Sequence, residues 1–240
     1  MLVLGIDTST AVTSVGLVDD GVVRGAAAHA DARRHAEVLP GLVRSVLFDA
    51  GLIPADLSLV ACGVGPGPFT GLRVGVTFAR AMAQALGVPA VGVCSLDALA
   101  VNEADRVRAA GVDAESITAL IRVRRGEHAW ATYDSYGRRT AGPLVSRDET
   151  LPSVGRRVGD SDEFDVQGTP AGTAVAALAR DRLRAGEVIP ADVAWPEDAA
   201  QGTGAPTADL LAARNDAGQV LLPALPLYLR RPDAVPTDQR

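Results

Sequence analysis

At 240 residues the chain is long enough to bury a sizeable core, as one large or two compact domains, and its net charge of −6 lacks the broad basic footprint of a protein that grips nucleic acid unaided. Nearly half of the residues are apolar and only 4% are aromatic, so the core must be built mainly from Val, Leu, Ile and Ala. No apolar run approaches the roughly 18 to 20 residues of a membrane span, and "MLVLGIDTST" lacks the basic start and long apolar stretch of a signal peptide, so a cytoplasmic protein without membrane association is expected.

Residues 2–7 and 12–18 read as strands, and Asp19-Asp20-Gly21 as a hairpin turn into a third strand near 22–28. In "RRHAEVLPGLVRSVLFDAG" the apolar residues Val38, Leu39, Leu42, Val43, Val46 and Leu47 recur at helical spacing. Gly51 ends that run, and Pro40 either kinks the helix or opens it. A buried strand at 58–64 leads through a glycine-rich loop into a helix from about Thr70 to Leu86, a strand at 90–93 and a short helix from Ser95. The polar stretch 102–114 is a plausible boundary between domains at 1–104 and 105–240. After it the pattern restarts, with strands near 116–123, 127–134 and 138–145 and helices near 172–185 and 205–216. Three hairpin-joined antiparallel strands followed by helical crossovers predict an α/β fold of two ribonuclease-H-like domains, each a mixed sheet with helices on its faces, side by side in the actin-like arrangement.

The loop "GVGPGPFTGLRVGVT" (63–77) sits where phosphate-binding loops sit, yet it matches neither common template. A P-loop requires Lys after its last glycine, where this chain has Leu72 and Arg73, and the third glycine of a dinucleotide fingerprint is replaced by Pro68 or Thr70. All 23 basic residues are arginine, which also excludes a Schiff-base lysine. Gly65-Pro66-Gly67-Pro68 makes a sharp turn, and Thr70 is positioned to cap the helix that follows. Gly71, Gly75, Ala79 and Ala83 then form a small-residue stripe, which serves either the approach of another helix or packing against the chain's own sheet. Cys62 and Cys94 lie far apart in apolar surroundings and read as buried core residues. His29, His35 and His128 show no metal-ligand spacing.

"LGIDTSTAVTSVGLVDDG", "RRHAEVLPGLV", "GVGPGPFTGLRVGVTFARAMAQALGVPAVGVCSLDALA" and the late "LPLYLRR" resemble the TsaB (YeaZ) family, densely over residues 1–100 and sparsely over 115–215. The resemblance implies the two-domain actin-like fold and a part in making threonylcarbamoyladenosine beside the tRNA anticodon. It also implies dependence on a catalytic paralogue, TsaD, and on an ATPase, TsaE. The paralogue carries metal-holding histidines in H-x-E-G-H, where this chain reads Ser95-Leu96-Asp97-Ala98-Leu99, so no metal and no bound cofactor are expected. Of a family pattern D-A-R-x-G-E-V-Y, residues 122–129 retain the arginine, glycine and glutamate as Arg124, Gly126 and Glu127, while Arg122 stands in place of Asp and Ala129 in place of Tyr.

A noncatalytic scaffold subunit is therefore expected, reaching TsaE and tRNA through the complex. Asp7, Thr8 and Ser9 are either a weak or vestigial phosphate site or a tight turn held by side-chain-to-backbone bonds. The expected partner surface is the helices near 36–50 and 70–86, with Leu39, Leu42, Val46, Gly71, Gly75, Ala79 and Ala83 at the contact. The isolated chain is expected to pair with itself there, and Gly75→Trp to abolish pairing while sparing the fold. The alternatives are a self-sufficient nucleotide-dependent transferase or kinase of the same superfold, and a glycoprotease-like peptidase, for which no nucleophile–base–orienter set is visible.

Overall fold

The computed structural model describes residues 1–112, 116–187, 221–222 and 224–227. The expected helix near 205–216 lies outside them. β1 (Leu2–Asp7) is buried along its whole length because it has neighbours on both sides, pairing antiparallel with β2 (Val12–Asp19) and parallel with β4 (Leu59–Gly63). β2 returns antiparallel to β3 (Val22–Ala30) through Asp20 and Gly21, whose φ of 47° and 92° give the two left-handed positions that such a hairpin requires. β5 (Ala90–Val93) adds parallel to β4, for an order β3-β2-β1-β4-β5.

Three helices belong to this half by sequence: α1 (His35–Asp49), α2 (Phe69–Leu86) and α3 (Ser95–Ala109). α1 begins before Pro40, which therefore lies inside it. Two features of the other helices depart from expectation. α2 starts at Phe69 with Pro68 before it and no side-chain cap, so Thr70 lies in the first turn instead of capping it. α3 is longer than expected and runs through most of the supposed boundary: Glu103, Ala104 and Val107 face inward at helical spacing, and the polar residues between them face out. A boundary drawn at 104/105 cuts this helix.

The second sheet comprises β6 (Ile117–Arg124), β7 (Glu127–Tyr133), β8 (Arg139–Arg147), β9 (Arg156–Gly159) and β10 (Val166–Gln167), followed by α4 (Gly172–Arg184). Its order, β8-β7-β6-β9-β10, has the same pattern of antiparallel and parallel neighbours as the first sheet. β9 and β10, too short and too polar to give a periodic signal, escape the sequence reading. The final helices are crossed. α3 packs on β6, β7 and β9 of the second sheet, whereas α4 packs on β1, β2, β4 and β5 of the first.

Alternation along the strands sorts the core. Leu4, Ile6, Val15, Leu17, Val60 and Cys62 point to the side of α1 and α2, while Val3, Leu59, Ala61 and Val91 meet Ala174, Val175 and Leu178 of α4 on the other. Gly5 and Gly16, paired across β1 and β2, form the seat of α4. A Cβ on Gly5 would lie 2.0 Å from the Gly172 carbonyl oxygen, and one on Gly16 would lie 2.1 Å from the Thr173 nitrogen.

Candidate functional site

The C-terminal end of β1, the glycine-rich loop and the first turns of α2 and α3 converge on the Asp7-Thr8-Ser9 turn. The Asp7 carboxylate is buried and fully engaged. Oδ1 accepts from the Ser9 amide at 2.8 Å and from the Ser9 hydroxyl at 2.6 Å, and Oδ2 accepts from Ser95 Oγ at 2.7 Å. Ser95 Oγ in turn accepts the Gly65 amide at 3.1 Å, which ties the loop to α3. Burial pushes the Asp7 carboxyl above its ordinary value, against the opposite pull of its bonds to Ser9 and Ser95. Gly63 leaves the room this carboxylate needs, since a Cβ there would sit 1.7 Å from Asp7 Oδ2.

Thr8 explains the small-residue stripe. Its hydroxyl donates to the Gly71 carbonyl oxygen at 2.7 Å and accepts from the Gly75 amide at 3.1 Å, so it is inserted between two groups that an ordinary helix would join directly. A Cβ on Gly75 would lie 2.4 Å from that hydroxyl oxygen, and one on Gly71 would lie 2.5 Å from the Thr8 carbonyl oxygen. Ala79 and Ala83 continue the stripe into the core beneath α2, and Leu39 and Val46 of α1 are buried with them, with Leu42 packed at the margin. This corrects the expected contact face: six of its seven residues are covered by the chain's own sheet and turn, because the alternating strand residues need a close-packed helix layer on that side. The same bonds leave Asp7, Thr8 and Ser9 without free hydroxyls or carboxylate oxygens facing solvent, so a phosphate would have to displace them.

Beside this turn lies a cluster that the sequence did not reveal. Asp97, in the first turn of α3, is fully buried and accepts from Tyr133 Oη at 2.9 Å, from Arg139 Nε at 2.9 Å and Nη2 at 2.6 Å, and from Arg182 Nη2 at 2.8 Å. Burial alone would raise its carboxyl, but the charges of Arg139 and Arg182 and their hydrogen bonds outweigh it and hold it below the ordinary aspartate value. Burial and the Asp97 charge push the Tyr133 phenol up. No local spacing links position 97 to 133, 139 and 182, so only the fold brings them together. Further along α3, the buried Glu103 holds Arg156 of β9 at 2.6 Å and Arg106 at 2.7 Å.

The remaining reactive groups are enclosed. Burial pushes the thiols of Cys62 and Cys94 up to about 12 and about 11, which removes the thiolate a nucleophile needs. His35 Nδ1 lies 2.7 Å from Thr13 Oγ1, both groups inside the core, and burial lowers the imidazole's pKa. His128 Nδ1 lies 2.8 Å from Asp148. Arg122 and Ala129, the positions of altered family pattern, fall on β6 and β7. Arg122 donates through Nη2 to Ser161 and through its amide to Asp160, and Ala129 is buried under the sheet. Among the described residues, no group of three or more His, Cys, Asp or Glu side chains is placed to hold a metal ion, and no helix is long and apolar enough to cross a membrane.

Two sheets of one strand order, joined by crossed helices around a β1 turn of Asp-Thr-Ser, define an actin-like, ribonuclease-H-like protein. The model of the family TsaD, tRNA N6-adenosine threonylcarbamoyltransferase, matches residues 23–183. An uncharacterized protein of Mycobacterium tuberculosis is 38% identical over 236 residues, covering 98% of this chain and 94% of that protein. The tRNA threonylcarbamoyladenosine biosynthesis protein TsaB of Escherichia coli is 36% identical over 140 residues, 55% of each chain. YeaZ from Pseudomonas aeruginosa superposes with a TM-score of 0.65 at 26% identity, over 78% of this chain and 95% of that one. The chain belongs to the TsaB/YeaZ family.

Proposed function

We infer that the chain takes part in the synthesis of threonylcarbamoyladenosine in tRNA as a noncatalytic subunit that binds and activates a TsaD-type catalytic paralogue, reaching the TsaE ATPase and tRNA through that complex. The relatives named TsaB in E. coli and Bacillus subtilis support the pathway. The assignment of a supporting role rests above all on one observation, the fate of the site at β1 and α3. Where the paralogue's histidines would stand, Ser95 is bonded to Asp7 and Leu99 is buried in the core, and the groups that could cradle a phosphate are bonded to one another.

The partner surface moves to the outward side of the helices first expected to form it. There α1 and α2 leave a groove of about 550 Å3 whose walls include Leu47, Phe48, Leu52, Phe78, Met82 and Leu86. Phe48 is 81% exposed, and an aromatic residue left so open beside an apolar groove marks a contact surface. The catalytic paralogue is the proposed occupant, and a second copy of the chain takes its place when it is isolated.

The test is reconstitution with tRNA, threonine, bicarbonate and ATP. The chain alone should make no modified nucleoside, and adding the paralogue from the same genome should give activity that Phe48→Asp with Met82→Asp removes together with copurification. Turnover by the isolated chain, or tight magnesium-dependent ATP binding lost in Asp7→Ala, would instead favour a self-sufficient nucleotide-dependent transferase.

A further inference from the structure

Two packed units in one chain normally move relative to each other unless the joint between them is large and apolar or otherwise fixed. Here the joint is fixed in three places. The first is the exchange of helices: α3 leaves the first sheet to lie on the second, and α4 leaves the second to lie on the first, so each unit's last helix is part of the other's wall. The second is the glycine seat, where Gly5, Gly16 and Gly172 bring backbone against backbone and Ser14 Oγ accepts the Gly172 amide at 2.9 Å. The third is Asp97, whose two carboxylate oxygens bind β7 through Tyr133, β8 through Arg139 and α4 through Arg182 at once.

Any rotation of one sheet against the other would have to part Asp97 from at least one buried arginine. An uncompensated buried charge is costly, so the open state is strongly disfavoured. We propose that the two units form one fixed body with Asp97 as the pin of the joint, giving a platform whose shape does not change with nucleotide. This goes beyond the role in tRNA modification and stands or falls separately from it, since the joint is tested on the chain alone.

The measurement is a distance between nitroxide labels in the full chain, at Ser45→Cys on α1 and Ser153→Cys before β9, both exposed, diluted with unlabelled chain to remove contacts between copies. The native thiols are wholly buried and escape labelling. Wild type should give one narrow distribution, unchanged by magnesium and ATP, and both Asp97→Asn and Arg182→Gln, each of which breaks the bond between α3 on the second sheet and α4 on the first, should widen it by about twofold or more. A wild-type distribution that shifts with magnesium and ATP overturns the proposal, as do widths equal to wild type in both variants. Should Asp97→Asn fail to fold, Arg182→Gln decides alone, because it leaves the carboxylate bonded to Tyr133 and Arg139 within the second unit.

Discussion

The two halves of the molecule share a strand order and differ in their helices. Between β3 and β4 the first half carries α1, and between β4 and β5 it carries α2, whereas the corresponding stretches of the second half, 148–155 and 160–165, contain only a short 3-10 turn at Asp148–Thr150. The first sheet therefore lies between two helical layers. Among the described residues the second is covered by α3 on one side, and β8 at its edge leaves Leu144 52% exposed. The two halves thus share a sheet order without sharing the helices between these strands, because strand pairing satisfies the backbone by itself. The apolar groove lies between α1 and α2, the two helices with no counterpart at 148–155 and 160–165.

The largest effect is expected where the helical layer meets the sheet. Gly75→Trp should now prevent folding, contrary to the expectation from sequence alone, because even a Cβ there would crowd Thr8 Oγ1 at 2.4 Å. Soluble yield and circular dichroism check this, and a folded variant would mean that α2 can lift from the Thr8 turn without loss. Next comes the pin between the halves. Asp97→Ala leaves Arg139 and Arg182 buried without their partner and should cost about 3–5 kcal/mol in urea unfolding. Since Asp97 titrates lower in the folded chain than its ordinary 3.8, its contribution is complete above that value and is lost as pH falls through the folded one. Wild type should therefore lose stability steeply below about pH 4, a slope that Asp97→Ala flattens. His35, lowered by burial, acts in the same sense at a milder pH: its contribution is lost as pH falls below its ordinary 6.5.

A pair of truncations sharpens the contrast between the covered and the half-covered sheet. Leu39→Ala in α1, fully buried, should cost about 2–5 kcal/mol, while Leu144→Ala on β8 should cost under about 1 kcal/mol. Equal losses would mean that the second sheet's open side is covered in solution.

The first half was the legible one, for the same reason. Its strands and helices are long and periodic, and its turns carry Asp-Gly and glycine stops, so element order followed from residues 1–100 with errors of a residue or two. In the second half no helix stands at 148–155 or 160–165 to give a 3.6-residue signal, β10 has only two residues, and β9 reads Arg-Arg-Val-Gly, without the apolar run that made the equally short β5 legible. At the site, Asp7, Thr8 and Ser9 stood out as a motif, but whether their oxygens face a ligand or each other depends on Ser95, Gly71 and Gly75, which lie 63 to 88 positions from the residues they bond. The stripe Gly71, Gly75, Ala79 and Ala83 was visible as a surface that something must approach. Spacing alone could not say that the visitor is the chain's own Thr8.

The smallest expected effect on the fold is also the one that most directly separates the halves by function. Phe48 projects from α1 into solvent, so Phe48→Asp removes little burial from the isolated chain and should change its stability by no more than about 0.5 kcal/mol. In a complex whose contact includes the α1–α2 groove, the same change places a carboxylate against apolar surface, and desolvating it without a partner weakens association by about 2 kcal/mol or more, over tenfold in affinity. A matched substitution on the second half, Leu144→Asp, should leave association untouched. The two variants, compared by calorimetry for binding and by urea for stability, set α1 of the first half against β8 of the second. Loss of binding in Leu144→Asp but not in Phe48→Asp would move the partner to the open face of the second sheet.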